Sequence, residues 1–258
     1  MTRRTLLAAP GLTTAKLTPE TARAFDAYVR KREAQIAARG RQRGFLWVLE
    51  KPDLASHVKR ETVVKAYEKG ATESVGDGLA HDWVGSTFIP GATLKRVLNF
   101  VQDYNRHEEF YRPEVLRSRL VSRNGDLFKI YLRLKKTKVI TVVLDTEYDV
   151  TYFQLDPNRA YSRSLSTRMT ELEDAGTPQE KELPAGQDHG FLWRLNTYWR
   201  FAEQDGGTYV ECEAISLSRG IPMFLGPVVA PIIRSLPEDS LRQTLDLTRK
   251  HLLALMTP

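Results

Sequence analysis

Between residues 115 and 218 the chain repeatedly alternates apolar and polar side chains with a period of two, and this constrains its fold more than any other feature. Period two places successive side chains on opposite faces of a strand, so each stretch assigns its own faces. In 115–122, Leu116, Ser118 and Leu120 share one face, and Arg117 and Arg119 take the other. In 127–135, Phe128, Ile130, Leu132 and Leu134 oppose Lys129, Tyr131, Arg133 and Lys135. In 141–150, Val142, Leu144, Thr146, Tyr148 and Val150 oppose Asp145, Glu147 and Asp149. The polar faces read basic, basic, acidic. Opposite charges across an antiparallel pair contribute about 0.2–1 kcal/mol each, so 127–138 is expected to pair with 139–153.

The same logic recurs further on. "FLWRLNTYWRF" (191–201) sets Trp193, Leu195, Thr197, Trp199 and Phe201 against Arg194, Asn196, Tyr198 and Arg200. After Gly206-Gly207, "TYVECEAISLS" sets Val210, Cys212, Ala214 and Ser216 against Tyr209, Glu211, Glu213 and Ile215. Arg194 and Arg200 are expected to face Glu211 and Glu213 across that hairpin. Two more strands are predicted at 79–89 and 159–173; in the latter, Ser162, Ser164 and Ser166 can line either side. Residues 174–190 read as a long polar loop.

Helices frame the strands. Thr18 and Pro19 open a helix that stops at Gly40, with Phe25, Val29, Arg32 and Ile36 in its stripe and much charge on its other face. Thr93 caps a helix with Leu94, Val97, Leu98 and Val101 on one side, and a shorter one covers "RHEEFY". From Pro237, Leu241, Leu245, Thr248, Leu252 and Leu255 follow helical spacing. The segment "ETVVKAYEKGA" (61–71) suits a strand or a short helix. Residues 1–16 read as a tail, 17–75 as a helical extension and 76–258 as the main domain. In the tail, Thr2-Arg3-Arg4-Thr5-Leu6-Leu7 looks like a twin-arginine export signal, which would make the protein periplasmic; otherwise it is expected in the cytoplasm. Seven antiparallel strands with one apolar face need a cover, and the last helix is the natural one. A curved sheet around a helix leaves a wedge-shaped space suited to a ligand.

At this point a family resemblance emerges. "VQDYNRHEEFYRPEVLRSRLV" is similar to the opening of START-like proteins, the SRPBCC superfamily that includes polyketide cyclases and lipid-transfer domains. Asp103-Tyr104, Phe110-Tyr111 and Pro113-Glu114-Val115 carry the likeness, and "SLPEDSLRQTLDLTRKHLLAL" resembles the closing helix. The match runs over roughly 79–256. It implies an α+β helix-grip fold, with the short helices and Tyr104, Phe110 and Tyr111 forming one lip of a cavity or plugging its end.

The inward faces carry hydroxyls at Ser118, Thr146, Tyr148, Thr197 and Ser216. Each costs about 1–3 kcal/mol if buried without a partner, which implies either backbone partners or a polar-dotted cavity. Cys212 and Ser216 leave volume, Trp193 and Trp199 offer flat walls, and Leu132, Phe224 and Val228 add apolar lining. The expected partner is a hydrophobic small molecule: a lipid, sterol-like, polyketide or aromatic compound. The rival expectation is a cyclase- or aromatase-type enzyme in the same cavity, with Tyr148 and then Asp103 as acid–base candidates.

Other classes find little support. The only cysteine, Cys212, excludes an internal disulfide and reads as an inert buried thiol. The five histidines show no metal-ligand spacing, and no phosphate-binding or nucleophile motif occurs, so neither metal nor cofactor is expected. His107-Glu108-Glu109 and His81-Asp82 carry a weak acid–base signal against a plain surface reading. Net charge is +6, from 38 basic and 32 acidic side chains, interspersed rather than clustered. No strand face joins basic and stacking residues, so nucleic acid is not expected as a partner. Arg23, Arg30, Lys31, Arg32 and Arg39 leave a weak contact of the first helix with an anionic membrane surface as a third reading. The sequence specifies no oligomeric state.

Overall fold

The computed structural model of the chain describes residues 14–41, 44–67, 72–137, 141–220 and 226–256, without the side chains of 40, 41 and 226–234. The Arg3-Arg4 leader and Phe224 fall outside these residues, as does the side chain of Val228.

The long alternating stretches all form strands. They are β3 (Gly78–Pro90), β4 (Val115–Asn124), β5 (Leu127–Thr137), β6 (Thr141–Asp156), β7 (Arg159–Glu173), β9 (Arg194–Gln204) and β10 (Gly207–Arg219). Three short strands join them: β1 (Val63–Ala66), β2 (Thr72–Val75) and β8 (Lys181–Glu182). The described residues therefore form a ten-stranded antiparallel sheet rather than the expected seven, in the order β1-β3-β10-β9-β7-β6-β5-β4, with β2 on β3 and β8 on β7. The added strands come from stretches too short to show alternation: two from the N-terminal extension and one from the polar loop.

β5 pairs with β6 as expected, with opposite charges brought across from one another. Lys129 lies opposite Asp149 and Arg133 opposite Asp145. Arg133 Nε donates to Asp145 Oδ1 at 2.7 Å and Nη2 to Oδ2 at 2.9 Å, a two-pronged pair. Arg200 faces Glu211 in register and bonds Glu213 at 3.1 Å. Among the described residues Arg194 joins no carboxylate; its guanidinium donates to the Trp193 carbonyl.

Helix α5 (Gly226–Ala254) starts well before Pro237 and crosses the inner face of the sheet. It comes close against the sheet at Gly85 of β3, where an added Cβ would come within 2.6 Å of Leu245 and 3.1 Å of Leu241. Leu241, Leu245, Thr248 and Leu252 are buried along α5, whereas Leu255 points outward. Helix α3 (Leu94–Val101), capped by the Thr93 hydroxyl, and the short α4 (His107–Phe110) close one end.

The largest departure from the sequence reading is on the outer face. Helix α1 (Pro19–Arg41) lies across it, and a 3-10 turn (Trp47–Glu50) and α2 (Pro52–His57) follow. Phe25, Val29 and Ile36 pack with Tyr198, Ile215 and Leu217. Arg32 and Arg39 are buried rather than solvated: Arg32 pairs with Asp82 and with Glu213 at 3.0 Å, and Arg39 pairs with Glu213. Glu211 accepts from the backbone N–H groups of Trp47 at 2.8 Å and Val48 at 3.0 Å, and from Ser86 at 2.8 Å. The polar face of β3, β9 and β10 is thus an internal charged layer, and the two arginines cannot serve a membrane surface.

Candidate functional site

A cavity of about 420 Å³ lies between the inner face and α5. That is the size class of sites that enclose a small organic ligand. Its walls follow from the pleat: Leu132 and Leu134 of β5, Leu144 of β6, Leu195 and Trp199 of β9, and Leu241 and Leu247 of α5 all face it. Strands β9 and β10 are interior to the sheet, yet Leu195, Thr197, Trp199 and Ala214 stay only half-buried, while their outward neighbours Asn196, Tyr198, Arg200 and Glu213 are buried. The half-burial arises because α5, held close at β3, leaves those inward side chains facing open space.

Of the residues proposed from sequence, Tyr104, Tyr111, Leu132, Tyr148, Thr197, Trp199, Cys212 and Ser216 line this cavity. Thr146 does not: it is fully buried and donates to the Leu132 carbonyl at 2.7 Å. Ser118 is also elsewhere; its hydroxyl accepts from the Glu108 backbone N–H at 2.9 Å, fastening β4 to α4. Trp193 precedes β9 and packs with the α1 cluster on the opposite side, its indole N–H donating to Asp188 at 3.1 Å. Phe110 turns away to stack on Phe100, ring centroids 4.5 Å apart. Asp103 lines a separate surface groove beside Arg106 and cannot reach the cavity.

The aromatics of the α3–α4 joint therefore divide their work. Phe110 plugs the core. Tyr104 and Tyr111 form the cavity end and are tied back, Tyr104 sharing a 2.7 Å hydrogen bond with Tyr152 and Tyr111 a 3.0 Å one with Thr248.

Several lining residues were not assigned from sequence. Ser162 and Ser164 of β7 face inward, which resolves their ambiguous alternation; the signal was their pairing with Trp199 and Thr197. His81 lines the cavity at the other end, with Nε2 2.9 Å from the Ser218 hydroxyl and Nδ1 3.2 Å from that of Thr72. Its inward position follows from the alternation of β3, where His81, Trp83 and Gly85 share a face. His107, expected on a surface helix, is buried and lines the cavity, one ring nitrogen bonded to the Val101 carbonyl at 3.1 Å. At the rim Lys136 pairs with Glu114 and donates to Ser240 of α5 at 2.7 Å.

Burial favours the uncharged forms of several lining groups. Burial lowers His107 to about 4 and pushes Tyr111 and Tyr148 up to about 12. Burial also raises the Cys212 thiol well above its ordinary value, with Glu213 and Glu211 adding to the effect, so it is no nucleophile.

The chain is similar in fold to several solved structures. A Thermus thermophilus protein matches at 15% identity over 67% of this chain and 98% of its own, with a TM-score of 0.49. A STAR-related lipid transfer protein from Xanthomonas axonopodis matches at 18% identity over 70% and 96%, with a TM-score of 0.46. The Zhui aromatase/cyclase from Streptomyces sp. R1128 matches at 11% identity over 68% and 93%, with a TM-score of 0.44. At these identities the likeness concerns the fold and carries no residue roles. No family model and no curated protein matches the chain. The architecture is α+β, an open antiparallel sheet with a C-terminal helix across it, which is a helix-grip arrangement.

Proposed function

We propose that this protein binds and carries a hydrophobic small molecule in the space between the sheet and α5. The observation that carries this reading is the half-buried state of inward residues in interior strands, around an apolar space of about 420 Å³. A sheet built only for stability would close over such side chains, since each unpacked apolar surface forfeits burial at roughly 25 cal/mol per Å². The ligand classes expected from sequence, a lipid, sterol-like, polyketide or aromatic compound, all suit these walls. Gentle purification followed by organic extraction and mass spectrometry should release a stoichiometric hydrophobic compound. An empty protein that also fails to take up any apolar fluorophore would refute the reading.

One observation favours the cyclase-type alternative: a histidine, His81, does face the cavity. General acid–base catalysis needs such a group within reach of a bound ligand. Its ring nitrogens are engaged by Ser218 and Thr72, the arrangement of an oriented imidazole as well as of a structural one. Turnover of a polyketone substrate that is lost in His81→Gln, with binding retained, would establish the enzyme.

A further inference from the structure

Among the four cavity tyrosines, three are satisfied by the protein: Tyr104 and Tyr152 by each other, and Tyr111 by Thr248. Tyr148 is the exception. It is 4% exposed, and its hydroxyl makes no hydrogen bond of normal geometry among the described residues; the Thr146 hydroxyl on the same face is its polar neighbour and spends its own proton on the Leu132 carbonyl. An unpaired buried donor is costly, so natural interiors rarely keep one without use. Its position is mid-wall: Tyr148 lies opposite Ile130 on β5 and Ser166 on β7, and two residues further along Ser164 faces Thr197 across β7 and β9. The Thr197 oxygen already accepts from the Trp199 indole at 3.2 Å. Leu132, Leu144 and Leu195 surround this short polar stripe.

The charged lining groups have protein partners. Lys136 and Glu114 neutralise one another at the rim, and Arg219 donates to the His189 carbonyl at 3.3 Å. A charged group in the interior would thus lose hydration without gaining a counter-ion, which is prohibitive in an apolar site.

We infer that the cavity selects uncharged apolar molecules that carry an oxygen acceptor in mid-body, and that the Tyr148 hydroxyl donates to that oxygen. This rests on the carrier reading above and narrows it to neutral ketones, esters, ethers and alcohols. Water occupies the donor when the ligand is away, and the ligand oxygen replaces it.

The test uses the whole protein and two uncharged fluorophores: the naphthyl ketone prodan and its ketone-free parent, dimethylaminonaphthalene. In the wild type, bound prodan should emit at the wavelength of a hydrogen-bonded ketone. Tyr148→Phe should weaken prodan about fivefold and shift its emission to the blue, as loss of one neutral hydrogen bond requires. The same variant should leave the parent's affinity within about twofold, because the apolar walls are untouched. The melting temperature should not fall, since the hydroxyl removed has no hydrogen-bond partner among the described residues. Unchanged prodan affinity and emission in Tyr148→Phe would overturn the inference while leaving the carrier reading intact. Emission from a ketone free of hydrogen bonds in the wild type would do the same without any variant. Failure of both probes to bind the wild type would overturn the carrier reading itself. Anilinonaphthalene sulfonate displacing prodan at equal affinity would refute the selection against charge.

Discussion

Glu213 offers the sharpest test of the buried charged layer. Its carboxylate, 1% exposed on the side chain, receives Arg32 at 3.0 Å, Arg200 at 3.1 Å and Arg39 as well. Glu213→Gln keeps the shape but removes the charge, and its amide N–H groups then point at guanidinium donors. Arg32 retains Asp82; Arg39 and Arg200 lose the one carboxylate that they pair with among the described residues. Removing one member of a buried ion pair costs about 3–5 kcal/mol. With a urea slope of about 1–3 kcal/mol/M, the midpoint should fall by at least about 1 M. Protease cleavage within α1 should appear at urea concentrations where the wild type resists. Adding Arg39→Leu to the variant should recover part of the loss, because one stranded cation goes with it. If Glu213→Gln shifted stability only within the 0–1 kcal/mol typical of exposed pairs, α1 would not be seated on the sheet as described.

Further tests follow from other sites. His107 is neutral when folded, with a pKa of about 4 against an ordinary 6.5. Its depressed folded value means that unfolding takes up a proton between these limits. Stability is therefore full above pH 6.5 and falls towards pH 4, by about 3 kcal/mol at the lower end, and His107→Gln should remove that slope in urea melts at graded pH. Ala214→Phe projects a ring into the cavity and should cut fluorophore affinity more than tenfold by titration, with the melting temperature held or raised. Gly85→Ala should cost about 1–3 kcal/mol in denaturant melts, since its methyl meets Leu245 where α5 touches β3.

The sequence alone was enough for the seven long strands, for the faces of β4, β5, β6, β9 and β10, and for the β5–β6 and β9–β10 pairings. Period two and the placement of Lys129, Arg133, Asp145 and Asp149 are local facts, and local facts determine which face a side chain takes. The inward positions of Tyr148, Thr197, Trp199, Cys212 and Ser216 follow from the same rule. What alternation cannot tell is what lies against each face. Arg200, Glu211 and Glu213 read only as a charge-paired polar face, and only the seating of α1 made that face an internal layer. Trp193 fell on the wrong side because β9 begins one residue later, where the chain has already turned away from the cavity. Ser118, Thr146 and Phe110 occupy the expected faces yet miss the cavity, because α4, a strand carbonyl and Phe100 claim them first. A strand's period is written residue by residue. A cavity is the space that remains after distant segments have packed, and only the tertiary structure decides where that space lies.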